Sequence, residues 1–164
     1  MCKAWHEGQV RKYTGEPYWT HPVQVMELVK TVPHTEEMLC AALLHDVVED
    51  TECTLQHITN AMGEEVSVLV EMLTDPSKPE DGNRAARRAI DRKHSSLASR
   101  EGKTIKIADC IINLSDIVEH DKDFAIQYVK EKLLLLECLR GGDEYLHAEL
   151  TDLIYRLKKE LDII

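Results

Sequence analysis

The chain has 164 residues, 43% hydrophobic and 30% charged, with a formal net charge of −10. That length suits one domain with a substantial core, and the acidic balance, without a run of Lys or Arg, argues against a nucleic-acid partner. No apolar run approaches the roughly 20 residues that span a bilayer, the first residues lack the apolar core of a signal peptide, and five scattered cysteines read as reduced thiols. A cytoplasmic protein without a membrane partner is expected.

Every long periodic segment is helical. A first helix is predicted from about Lys3 to Lys12, ended by Thr14-Gly15-Glu16-Pro17. His21-Pro22 opens a second, with Val25, Leu28 and Val29 as its apolar stripe, and Pro33 stops it. Thr35 is the expected N-cap of a central helix, with Glu36 and Glu37 in its first turn. Thr54 should cap a short helix through Met62, closed by Gly63, and Glu64 to Leu73 forms another. The stretch from Asp75 to Asn83 is the clearest loop. A basic helix from Arg84 to Leu97 follows, then helices at about Gly102–His120, Asp123–Leu139 and Asp143–Leu161, with Leu133 to Leu136 read as core. The expected fold is all-α: a compact bundle of about eight helices forming one domain over residues 1–164. Nothing in the sequence specifies an oligomer.

The stretch from Ala41 to Thr51 is the most informative. Read as one helix, it places Leu43, Leu44, Val47 and Val48 together, opposite His45, Asp46, Glu49 and Asp50. Three acids within five residues repel one another. A divalent cation resolves that repulsion, because imidazole nitrogen and carboxylate oxygen are the ligands such ions take. A solvated acidic face on an ordinary amphipathic helix is the plainer alternative.

A second polar row lies on an apolar helix, where Asp109, Asn113 and Asp116 stand at i, i+4 and i+7 among Ile107, Ala108, Ile111, Ile112 and Leu114. Polar groups on a buried helix need partners or cost roughly 1–3 kcal/mol each. A metal or substrate pocket meets that need, and so does a structural hydrogen-bond network. Alone, His21 is an unremarkable residue at a helix start.

Together these residues resemble the HD superfamily of metal-dependent phosphohydrolases, in the order His21, His45-Asp46, Asp109. Three features narrow the resemblance: the segment from Gly8 to Tyr18 leading into Thr20-His21-Pro22, the HDxxED form within Ala41–Thr51, and Lys106-Ile107-Ala108-Asp109 before Asn113-Leu114. The chain is similar there to the hydrolase domain of the RelA/SpoT family, especially its small stand-alone alarmone hydrolases. The resemblance implies one divalent metal, usually manganese, on His21, His45, Asp46 and Asp109, with Glu49 and Asp50 acting on the attacking water. It also implies nucleotide contacts from Arg11, Lys12, Asn113 and Tyr128. Arg84, Arg87 and Arg88 are candidate phosphate contacts, with a solvated basic face as the alternative.

The implied activity is removal of the 3′-pyrophosphate of (p)ppGpp to give GDP or GTP, without a synthetic activity. Another nucleotide substrate, such as NADPH or a deoxynucleotide, and a silent nucleotide-sensing domain are the alternatives. The pattern departs at Cys110, where the family usually carries Lys or Arg, and at Ser115, where an Arg is common.

Overall fold

The computed structural model describes residues 1–163. Its α-helices are α1 (Cys2–Trp5), α2 (Thr20–Val29), α3 (Glu36–Leu44), α4 (Val47–Asp50), α5 (Leu55–Met62), α6 (Glu64–Leu73), α7 (Arg84–Ser96), α8 (Arg100–His120), α9 (Lys122–Leu136) and α10 (Glu144–Glu160). Among the described residues there is no sheet, only an isolated antiparallel bridge between Val10 and Pro17. The all-α class is as expected. No helix among them is long and apolar enough to cross a membrane.

Helix starts follow the capping chemistry of the sequence. Thr35 accepts from the Met38 amide at 3.2 Å. Thr54 and His57 form a reciprocal capping pair at the start of α5, while Ser99 opens α8 and Asp143 opens α10. Gly63, at φ 94°, both ends α5 and precedes α6, a backbone setting that L side chains rarely adopt.

The bundle is assembled around α8, which packs against α2, α3, α6, α9 and α10. Its Ile105, Ile107, Ala108, Cys110 and Leu114 are wholly buried. The polar row of α8 therefore emerges from the middle of the core, where its side chains reach other elements instead of water.

Two expectations are corrected. The first helix stops at Trp5 instead of running to Lys12, because Gly8 takes φ 78° and the chain turns back on itself. Arg11 then donates its amide to the Glu16 carbonyl at 2.8 Å. The central helix is also not continuous. It ends at Leu44, and Asp46 starts a new turn by accepting the amides of Glu49 and Asp50 at 3.1 and 2.9 Å. Of the Leu133 to Leu136 run, Leu135 and Leu136 are buried while Leu134 is 58% exposed.

Candidate metal centre and cleft

Three separate parts of the chain bring their side chains to one point. His21 sits in the first turn of α2, His45 and Asp46 occupy the break between α3 and α4, and Asp109 lies midway along α8. The break matters, because it turns His45 inward, where its residue is 2% exposed, beside Asp46. Nε2 of His45 lies 3.0 Å from Oδ2 of Asp46 and 3.5 Å from Oδ1 of Asp109. Nε2 of His21 lies 3.1 Å from the same Asp109 oxygen and 3.6 Å from Asp46. His21, His45 and Asp46 each offer one ligand atom, and these atoms all fall within 4.8 Å of one another.

The hydrogen bonds around this point fit a cation. A backbone carbonyl can only accept, so the 2.8 Å contact between His45 Nδ1 and the Ala42 carbonyl places a proton on Nδ1. Nε2, buried without a hydrogen-bond partner, faces the centre, where a bound cation would displace its proton and take its lone pair. Burial works against a positive charge on His45, but Asp46 and Asp109 outweigh it and hold its pKa well above the ordinary range. Burial likewise opposes ionisation of Asp109, and the two histidines reverse that, holding it well below the usual carboxylate range. A buried and a half-buried carboxylate against two imidazoles make a donor set that stabilises positive charge at its centre, as a divalent ion requires.

Two further groups orient this set. The Tyr18 hydroxyl donates to Asp46 Oδ2 at 2.7 Å, and burial beside Asp46 raises its pKa, so it remains a neutral donor. Asn113 donates its amide to Asp109 Oδ1 at 2.6 Å. Tyr18 escapes the sequence reading, although its place three residues before His21 is the signal that could have found it.

A cleft of about 160 Å³ opens beside the centre, lined by Asp46, Glu49, Asp109, Asn113, Tyr128 and Lys132 among others. Glu49 is fixed in it by the Asp75 backbone amide, which donates to Oε1 at 2.7 Å. Asp75 is in turn held by Arg88 at 2.7 Å and Lys106 at 3.4 Å. Withdrawal of the Glu49 carboxyl from water, together with the Asp75 carboxylate beside it, pushes its pKa up to about 7, against the pull of Lys106. A carboxyl titrating there is suited to exchange protons near neutral pH. Asp50 is exposed and turns toward Tyr18, outside the set of residues that line the cleft.

The expected nucleotide and phosphate contacts divide. Asn113 and Tyr128 line the cleft, and burial pushes the Tyr128 phenol up to about 12. Arg11 is buried and tied to Gln24 and Asp116 at 2.9 and 2.8 Å, facing a separate groove of about 480 Å³. Lys12 is exposed, near Asp121. Arg84 forms a two-pronged pair with Glu131 at 2.6 and 2.8 Å, and Arg88 is neutralised by Asp75 and Asp91. Nε of Arg87 is buried without a partner, in an adjoining cavity of about 330 Å³ that also reaches Glu49. Lys106, Lys132 and Asp75 are functional candidates that sequence reasoning missed. Lys106 stands three residues before Asp109 on the same helical face, a visible signal, whereas nothing in the loop marks Asp75.

This arrangement on an all-α bundle is that of an HD domain, and the HD domain family model matches residues 1–133. The chain belongs to the HD domain family. It is 32% identical over 172 aligned residues to the guanosine-3′,5′-bis(diphosphate) 3′-pyrophosphohydrolase of Haemophilus influenzae, covering 96% of this chain and 25% of that protein. It is 30% identical over 161 residues to a GTP pyrophosphokinase of Streptomyces coelicolor, covering 96% of this chain and 19% of that one. The chain thus spans a quarter or less of these curated relatives. The solved structure of a metazoan ortholog of SpoT, described as hydrolysing ppGpp and playing a role in starvation responses, superposes with a TM-score of 0.84 at 28% identity, covering 94% of this chain and 90% of that one.

Proposed function

We propose that the protein is a manganese-dependent hydrolase that removes the 3′-pyrophosphate of (p)ppGpp, leaving GDP or GTP. The observation that carries this reading is the convergence of His21, His45, Asp46 and Asp109 on one point beside a carboxyl poised near neutrality. The alarmone substrate is supported by likeness to a metazoan protein described as hydrolysing ppGpp and to a bacterial 3′-pyrophosphohydrolase. Residues 1–164 act as one catalytic domain in this reading, located with the nucleotide pool of the cytoplasm.

The two histidines and two aspartates would hold the ion, with Tyr18 and Asn113 fixing the aspartate oxygens by hydrogen bonds. When bound there, a divalent cation would supply Lewis acidity, drawing charge from a phosphoryl oxygen and lowering the pKa of the attacking water. Glu49, anchored through the Asp75 amide, accepts the proton released as water attacks the phosphorus joined to the ribose 3′-oxygen. As that P–O bond breaks, the proton passes to the departing 3′-oxygen, giving a free 3′-hydroxyl and pyrophosphate. Asp50 acts one step away, through the Tyr18 hydroxyl that it shares with Asp46. Asn113 and Tyr128 line the space for the nucleoside. Arg11 contributes when the nucleotide reaches the neighbouring groove that it lines, Lys12 adds an exposed cation beside Asp121, and Arg87 offers a free guanidinium edge to the released pyrophosphate.

A turnover screen tests the reading. Metal-stripped protein, with Mn²⁺ restored, is offered ppGpp, NADPH, deoxynucleoside triphosphates and ATP. Pyrophosphate release from ppGpp, with GDP as the second product, is the expected result. Turnover of another nucleotide in its place would refute the substrate and keep the centre. Bound metal with no turnover on any of them would refute the enzyme.

A further inference from the structure

The residue that follows Asp109 on α8 supplies no cation to the cleft wall, since it is the wholly buried Cys110, and Lys106, one turn earlier on that helix, is engaged with Asp75. A cation arrives there from elsewhere. Lys132, on α9, lays its ammonium beside the Cys110 thiol and 4.7 Å above the Tyr128 ring. It lines the same cleft as Asp109 and Asn113.

Most cations around this site already have counter-charges. Arg88 and Lys106 share Asp75, and Arg84 holds Glu131. Two cleft-lining cations differ. Among the described residues, no carboxylate lies within 4.0 Å of Lys132 or of Arg92, which lines the cleft from α7. Lys132 also stands close enough to Lys106 for the two ammonium groups to repel. Partly buried cations with no carboxylate at ion-pair distance have room for a further counter-charge, and a bound anion supplies one. An ammonium and a guanidinium together match the oxygens of a phosphate, the first as a point charge and the second as a planar fork.

We propose that Lys132 and Arg92 form an anion subsite on the α9 and α7 walls of the cleft, which takes a phosphate group of the substrate. This rests on the reading of the protein as a phosphohydrolase. It assigns a specificity role to two residues outside the metal centre, and it explains how a cleft with Cys110 beside Asp109 still presents positive charge to a polyphosphate. Substrates with a second phosphate within reach of these residues are held more tightly than those with one.

The test is a calorimetric titration of Mn²⁺-loaded protein with inorganic pyrophosphate. Lys132→Met should weaken pyrophosphate binding by about 10- to 100-fold. Lys132→Arg should restore most of the affinity, and Arg92→Gln should weaken it by about 10-fold, with manganese content and melting temperature unchanged. With ppGpp, the same variants should raise KM more than they lower kcat. Wild-type affinity in Lys132→Met, or no pyrophosphate binding by the parent, overturns the subsite. Should Lys132→Met not fold, Arg92→Gln carries the test, and unchanged affinity there overturns it equally. If ppGpp is not turned over at all, the alarmone reading fails while the pyrophosphate titration still decides the subsite.

Discussion

Glu49 is the residue to which the proposed reaction assigns proton transfer, and its surroundings set the pH at which that transfer would operate. With its pKa near 7, the carboxyl is protonated on the acid side and cannot take a proton from water. On the alkaline side it is ionised and competent. The turnover rate should therefore rise as pH increases through about 7 and then level off. Replacing it with glutamine should lower kcat by about 100-fold or more, abolish this rise, and leave manganese content unchanged. A Glu49→Gln variant with the parental rate and pH profile would remove Glu49 from the mechanism. Tyr18 makes a different contribution, because its hydroxyl donates 2.7 Å to an Asp46 oxygen that faces both histidines. Tyr18→Phe removes that donor and keeps the ring, so manganese affinity should fall by about 10- to 100-fold. A metal titration giving the parental affinity would reduce Tyr18 to packing.

At the scale of elements, α8 is both the centre of the core and a carrier of site residues, which makes its close neighbours sensitive. Gly142, in the connection to α10, approaches α8 so closely that a Cβ there would meet Ile107 Cδ1 at 2.8 Å and the Thr104 amide nitrogen at 3.2 Å. Gly142→Ala should destabilise the fold by about 1–3 kcal/mol, read as a lower denaturation midpoint in urea. An unchanged midpoint would mean that the connection moves freely over α8. The same elements explain what the sequence could disclose. Caps such as Thr35, Thr54 and Asp143 are local chemistry, and the helix starts follow them. The polar row of α8 was equally visible, and the structure divides it by position. Asp109 and Asn113 face the cleft, while Asp116 is spent on a structural pair with Arg11. The interruption at His45-Asp46 was hidden, because the apolar and polar periodicity runs through it without a proline or glycine to mark it. Asp75 and Lys132 were hidden for a longer-range reason: their importance lies in contacts with Glu49 and Cys110, partners 26 and 22 positions away in sequence.

Over the whole molecule, the formal charge of −10 hides a local arrangement of opposite character. Acidic groups gather around the point where a cation fits, and basic groups from α7, α8 and α9 gather on the cleft beside it. The proposed polyanionic substrate would be drawn to that edge despite the negative field elsewhere, since charges beyond about 10 Å are largely screened at moderate salt. The proposed metal donors come from α2, the α3–α4 break and α8, so their cluster exists only when the bundle is assembled. The central claim is that this one centre performs the hydrolysis. It is tested most directly by titrating metal-free protein with Mn²⁺ while following bound metal and pyrophosphate release from ppGpp in the same samples. The two should rise together and saturate at about one ion per chain, and neither should appear in Asp46→Ala. Full occupancy without pyrophosphate release, or release that persists in metal-free protein, would contradict it.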